Sequence, residues 1–348
     1  MARATLGTVI KKGDVINKEY EVLRKLGEGG CGTVFLCRCL VPPVKRRFKG
    51  RAKPKGQVTT HALAAVKMLD RSGDAQRFLR ERNVLRKANN DHVVEMIGSG
   101  YHDDIPYISL EFVEGGSLRD LMDKRKEMPV DEAAWILIQT IRGLRASNAV
   151  HRDLKPENIL LTPGEGRTET PRLIINDTKR GAVVKVADFG LARETDLNKT
   201  RLTNTGQVMG TPVYMSPEQC RSTKKVDVKT DIYALGVLFY EMLAAKVPFE
   251  GNTAYDTMKL HLEAEVKYPR IIGKQAKQII RRCLEKNKSK RYSSLTALEK
   301  ELCALAGKGV ESGVGIGGSW GRVFVIAFIG VALLATLAWY LRDRLFGQ

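Results

Sequence analysis

The sequence predicts an α+β fold with room for two compact lobes, and three observations carry the prediction. From Tyr20 to Leu40 apolar residues alternate around a glycine-rich turn, the period-two signature of a half-buried hairpin. Residues 131–148, DEAAWILIQTIRGLRASN, form a long apolar-rich segment with helical spacing, and the chain keeps a helical character beyond it. The length of 348 residues is enough to bury two real cores.

Composition narrows the chemistry. Lys and Arg number 58 against 39 Asp and Glu, a formal net charge of +19 that favours anionic partners: acidic proteins, nucleic acid or membrane surfaces. Six cysteines are scattered without a C-x-x-C pair, which argues against a zinc site or a disulfide framework and suits a reducing cytosol. Residues 1–19 hold no long apolar run and are read as an N-terminal leader, not a signal peptide. Val323 to Leu341 is uncharged throughout and as a helix would span roughly 28 Å. With Trp320, Trp339 and Tyr340 at its edges, it reads as a single transmembrane helix. A glycine-rich linker, 306–322, precedes it, and a short tail, 342–348, follows.

In chain order, the glycine turn is Leu26-Gly27-Glu28-Gly29-Gly30-Cys31-Gly32-Thr33-Val34, where missing Cβ atoms let the backbone approach phosphates. The residues that follow, TVFLCRC, are strand formers, so a hairpin is expected and not the strand-to-helix turn of dinucleotide folds. Residues 42–60 carry seven Lys/Arg between Lys45 and Lys55 among prolines and glycines, a surface loop read first as a tolerated hairpin insertion and second as an electrostatic contact with anionic lipid, nucleic acid or a partner. Only Phe48 accompanies those charges as a stacking ring, which disfavours nucleic acid. A strand at Leu63–Leu69 encloses Lys67 between apolar neighbours, a position that demands a partner. An amphipathic helix starting at an Asp74 cap carries Glu81. A further buried strand is expected at Tyr107–Val113.

The chemistry concentrates at His151-Arg152-Asp153-Leu154-Lys155-Pro156-Glu157-Asn158, followed by Asp188-Phe189-Gly190. One carboxylate, one lysine and one amide on a tight loop, with a second carboxylate before a glycine, can orient a hydroxyl, neutralise phosphate and hold a divalent metal. These runs resemble the catalytic loop and metal-binding motif of eukaryotic-type protein serine/threonine kinases, in their bacterial form, and the resemblance covers about residues 20–305.

That resemblance implies a bilobal protein kinase-like fold: a small lobe of antiparallel sheet with one helix at 20–113, and a larger, mainly helical lobe at 114–305. ATP and Mg²⁺ (with Mn²⁺ as the alternative metal) would be the cofactors. By the same resemblance Asp153 orients the substrate hydroxyl, Lys155 reaches the γ-phosphate, and Asn158 and Asp188 hold the metal. Lys67 grips the α- and β-phosphates, Glu81 holds Lys67, and Thr211 supports Asp153 and Lys155. Nucleotide would lie against the residues from Leu26 to Val34, with Ala65, Leu110, Glu111, Val113 and Leu160 around the base. His151 is expected to pack on Phe189 and not to act as a base. Glu218 of Ser216-Pro217-Glu218 would pair with Arg291, and Asp231 would begin the central helix of the large lobe. Residues 162–180 read as an inserted loop or hairpin.

Protein substrates with Ser or Thr are the implied partners, together with a second copy of the chain for autophosphorylation in trans at Thr203 and Thr205, where a phosphate would meet Arg152. Charges flanking the apolar helix are balanced, Lys308 and Arg322 against Arg342 and Arg344, so they do not orient it. The need for ATP implies a cytoplasmic kinase domain on a C-terminal anchor with no external sensor domain. A membrane-anchored pseudokinase scaffold is the rival reading. Its mark would be loss of Lys67, Asp153, Asn158 or Asp188, and all four are present.

Overall fold

The computed structural model describes residues 10–29, 32–41, 62–69, 75–88, 90–164, 172–175, 178–189, 212–221 and 226–307. The chain divides into two units, Met1–Lys308 and Gly309–Gln348, and every described residue lies in the first. The basic loop 42–60, Asp74, Gly190, Thr203, Thr205, Thr211, most of linker 306–322 and the apolar stretch 323–341 lie outside the described residues. Among the described residues no helix is long and apolar enough to cross a membrane.

The first part of the chain forms a six-stranded antiparallel sheet ordered β1-β2-β3-β4-β6-β5. Its strands are β1 (Val15–Ile16), β2 (Tyr20–Gly29), β3 (Gly32–Cys39), β4 (Leu63–Met68), β5 (Met96–His102) and β6 (Ile105–Glu111), with helix α1 (Ala75–Lys87) between β4 and β5. Alternation decides which side chains go where. On β4, Ala64, Val66 and Met68 join Ile16, Val22, Phe35 and Tyr107 in one apolar cluster. The period of two then turns Ala65 and Lys67 to the opposite face, where Lys67 meets Glu81 of α1.

Two boundaries differ from the sequence expectation. Ile16 is fully buried and β1 pairs with β2, so the sheet begins inside the segment read as a leader. A two-residue strand is too short to show a period. Strand β6 ends at Glu111, two residues short of Val113, because the chain is already turning toward Glu114-Gly115-Gly116.

The second part is mainly helical. Helices α2 (Leu118–Lys124) and α3 (Val130–Ser147) come first. A single 3₁₀ turn (Pro156–Asn158) then leads into β7 (Ile159–Gly164), β8 (Arg172–Ile175) and β9 (Thr178–Val186), a small sheet ordered β7-β9-β8. The insertion expected at 162–180 is thus built on a hairpin, β8 against β9. Helices α4 (Pro217–Arg221), α5 (Val228–Ala244), α6 (Ala254–Glu263), α7 (Lys274–Cys283) and α8 (Leu295–Leu305) complete it.

Helix α5 is buried on every side from Thr230 to Leu243, as an all-round apolar helix must be. It starts three residues before Asp231, because Asp227 supplies the cap, accepting the Lys229 N–H at 2.8 Å. Its neighbour α3 is nearly as buried and ends on Asn148 in the left-handed region, φ 50°.

Candidate active site

The glycine turn is the predicted hairpin. Gly29 pairs with Gly32, and Gly30 and Cys31 lie outside the described residues. Gly32 has φ +124°, and a Cβ there would lie 2.0 Å from the Met68 carbonyl oxygen, so no other residue fits. Leu26, Gly27 and Glu28 are exposed along β2, while Thr33 and Val34 begin β3.

Lys67 has the partner its burial requires, and a second one. Its Nζ lies 2.9 Å from Glu81 Oε1 and 2.6 Å from Asp188 Oδ1. Burial alone would lower the lysine's pKa, yet the attraction of Asp188 and Glu81 raises it, so the ammonium persists. Burial also pushes the Asp188 carboxyl up, but the lysine overcomes this and holds it down at about 2. Glu81 is raised, because desolvation outweighs the same lysine there. The cluster therefore keeps one cation firmly charged and Asp188 ionised.

The loop 151–158 hangs from helix α5. Asp231, buried within that helix, accepts the backbone N–H of His151 at 2.9 Å and of Arg152 at 3.0 Å. Gln219 of α4 donates to the Arg152 carbonyl at 2.8 Å. These bonds hold Arg152 at φ +67°, an unfavourable value for a side-chain-bearing residue, and turn the chain sharply into Asp153. Lys155 Nζ stands 3.2 Å from Asp153 Oδ2. Asn158 donates from Nδ2 to the Asp153 carbonyl at 2.7 Å, so its amide oxygen is the end turned away.

Asn158 and Asp188 are held beside one another by backbone pairing. Ile159 faces Val186 in the β7–β9 ladder, and Ala187 N–H donates to the Asn158 carbonyl at 2.9 Å. Asp188 also has a positive φ, +54°. His151 packs against Phe189 with ring centroids 5.1 Å apart, and its Nε2 meets the Ala187 carbonyl oxygen at 3.0 Å. Around the space between the sheet and this loop, Ala65 pairs with Leu110, Glu111 ends β6, Val113 is buried, and Leu160 bridges to Ser117.

A divalent ion suits this donor set. Asn158 and Asp188 offer oxygen ligands just outside the paired ends of β7 and β9, the type that Mg²⁺ takes when phosphates and water complete its shell. Among the described residues no group of three or more His, Cys, Asp or Glu could hold a metal without such help.

Three supports escaped sequence reasoning: Asp231 and Gln219 beneath the loop, and the direct contact of Lys67 with Asp188. A carboxylate in the otherwise apolar run DIYALGVLFY was the available signal for the first. Glu111, expected at the nucleotide through its backbone, also uses its side chain, accepting from Lys185 at 2.6 Å and from the Glu95 N–H at 2.8 Å.

A persistent buried ammonium, a fixed oxygen pair for a metal, and a carboxylate beside a lysine on a separate loop are the equipment of a phosphoryl-transfer protein. The comparisons agree: residues 48–303 match the protein kinase domain, and the chain belongs to the protein kinase family, among its serine/threonine kinases. The glycine turn lies ahead of the matched residues. The chain is 31% identical over 294 residues to a probable serine/threonine-protein kinase of Clostridium perfringens, covering 81% of this chain and 37% of that one. It is 30% identical to the serine/threonine-protein kinase PknL of Mycobacterium tuberculosis (84% of this chain, 67% of that protein). It is 29% identical to PrkC of Bacillus subtilis (83% and 41%). The chain thus spans only about a third of the length of some of these relatives, 37% for the first and 33% for a Myxococcus xanthus kinase.

Proposed function

We propose that this chain transfers the γ-phosphoryl group of ATP to serine or threonine hydroxyls of proteins. The observation that carries the reading is the buried Lys67 ammonium, fixed between Glu81 and Asp188 on the strand that pairs with β3 of the glycine hairpin. Lys67 binds the α- and β-phosphates, and Glu81 fixes its position. Asn158 and Asp188 hold Mg²⁺, which when bound neutralises charge on the phosphates. Asp153 accepts and orients the substrate hydroxyl, and Lys155, beside it, stabilises charge on the transferred group. Thr211 completes the set beyond the described residues.

Two finer parts belong to the same reading. Thr203 and Thr205 are modified in trans, giving Arg152 a phosphate partner. The stretch 323–341 anchors a cytoplasmic catalytic unit to a membrane, and loop 42–60 adds contact with anionic lipid.

The test is γ-phosphate transfer to a model basic protein by wild type and by Asp153→Asn, with phosphopeptides mapped in the same incubation. Transfer should fall by roughly 10²–10⁴-fold in the variant. Wild-type phosphopeptides should include Thr203 and Thr205. Equal incorporation by both proteins would remove Asp153 from its role.

A further inference from the structure

A cavity of about 490 Å³ opens beside Asp153 and Lys155, and Lys67 is not part of its wall. Its wall carries the carboxylates Glu157, Glu241 and Glu250 as well as the basic side chains of Arg119, Arg152 and Lys155. Two of those carboxylates already have a cation. Arg119 of α2 reaches in, donating from Nε to Glu157 at 3.3 Å and from Nη2 to Glu241 at 3.0 Å. The same Nη2 donates to the Tyr214 hydroxyl at 2.7 Å, and Tyr214 in turn donates to the other oxygen of Glu241 at 2.6 Å. Glu241, with only 8% of its side chain exposed, therefore has both oxygens engaged within the chain.

Planar guanidinium against two carboxylates is the geometry with which a protein captures an arginine from a bound peptide. Here the arginine is the chain's own. On the reading that this protein phosphorylates other proteins, we propose that Arg119 sets substrate selectivity by filling the acidic subsite beside Asp153 from within. A basic substrate side chain then gains nothing there, since it must displace an internal guanidinium to reach Glu241. The net charge of +19 pushes in the same direction, against basic substrates and toward acidic ones.

The experiment measures kcat and KM for threonine peptides carrying one arginine, alanine or glutamate moved through the positions flanking the acceptor. With wild type, kcat/KM for the arginine peptide should stay within about threefold of the alanine peptide at every position, the size of a weak exposed charge pair. Arg119→Ala should lower KM for arginine at one position, raising kcat/KM about tenfold over alanine there, as a regained charge-assisted contact does. Arg119→Ala combined with Glu241→Gln should lose that gain. A loss spread evenly over all peptides would make Arg119 only a brace and overturn the proposal. Should Arg119→Ala not fold, the wild-type profile and Arg119→Lys decide: a tenfold preference for arginine in wild type overturns the proposal, and an intermediate preference in Arg119→Lys supports it. Absence of transfer to every peptide by wild type would instead count against the kinase reading itself.

Discussion

Arg291 offers the sharpest quantitative test of how the large lobe is held together. Its side chain is fully buried and donates from Nη1 and Nη2 to Glu218 at 2.8 and 2.9 Å. It also donates to the carbonyls of Glu285 at 2.8 Å and Lys229 at 2.9 Å, and it lies 4.8 Å from the Tyr233 ring centroid. Replacing it with methionine keeps much of the volume but leaves Glu218, among the described residues, with only the Thr230 hydroxyl at 2.9 Å as a side-chain donor. Breaking one side of a buried ion pair costs about 3–5 kcal/mol. At about 2 °C per kcal/mol for a domain of this size, the midpoint should drop by roughly 6–10 °C.

Glu218→Gln in the same background should recover part of the loss, since no unpaired charge then remains. Acid adds a second signature. Burial pushes the Glu218 carboxyl up, but Arg291 outweighs this and holds it below its usual 4.5. A folded-state pKa below the unfolded one stabilises fully above 4.5 and loses its effect as pH falls through the folded value. The gap between wild type and Arg291→Met should accordingly narrow as pH falls below about 4.5. Calorimetric or fluorescence melts from pH 7 to pH 3 measure both effects. A variant melting within about 1 °C of wild type at pH 7 would refute the reasoning.

Two other outcomes follow from the geometry. His151→Phe should preserve the packing on Phe189 and leave the pH profile of transfer unshifted, whereas His151→Ala should melt earlier by the loss of a buried aromatic contact; a profile that moves in the phenylalanine variant would restore a proton-handling role for this ring. Truncation before Val323 should release the protein from the membrane fraction of lysed cells, and a truncated chain that still pellets with membranes would dismiss the anchor.

The parts of the site that could be read from the sequence were those whose chemistry is declared by their own neighbours. Lys67 in an apolar strand had to have a counter-ion, and Glu81 was within reach on the next helix. Asp153, Lys155 and Asn158 lie within six residues of one another, so one tight loop unites them. The histidine–phenylalanine contact and the Glu218–Arg291 pair came from family resemblance, and the structure contains both. Asp231 was legible as part of a helix but not as a support, because its task is to bind two backbone N–H groups eighty positions earlier, and backbone donors leave no mark in a sequence. Arg119 and Glu241 are 122 residues apart, and neither looks unusual alone. The start of the sheet at Val15 was missed because burial in that strand rests on Ile16 alone, not on a pattern.

The β7–β9 ladder also bears on how the protein can be altered. One end of that ladder, Ile159 against Val186, fixes the oxygen pair; the other end, Gly164 against Gly181, lies five residue pairs away, roughly 16 Å along the strands. Chain inserted between Gly164 and Arg172 leaves and rejoins at that remote end, so its length is uncoupled from the register at Asn158 and Asp188. This junction is therefore the natural graft point for a fluorophore-bearing peptide or a binding tag, one that would report on the protein while leaving the candidate site in place.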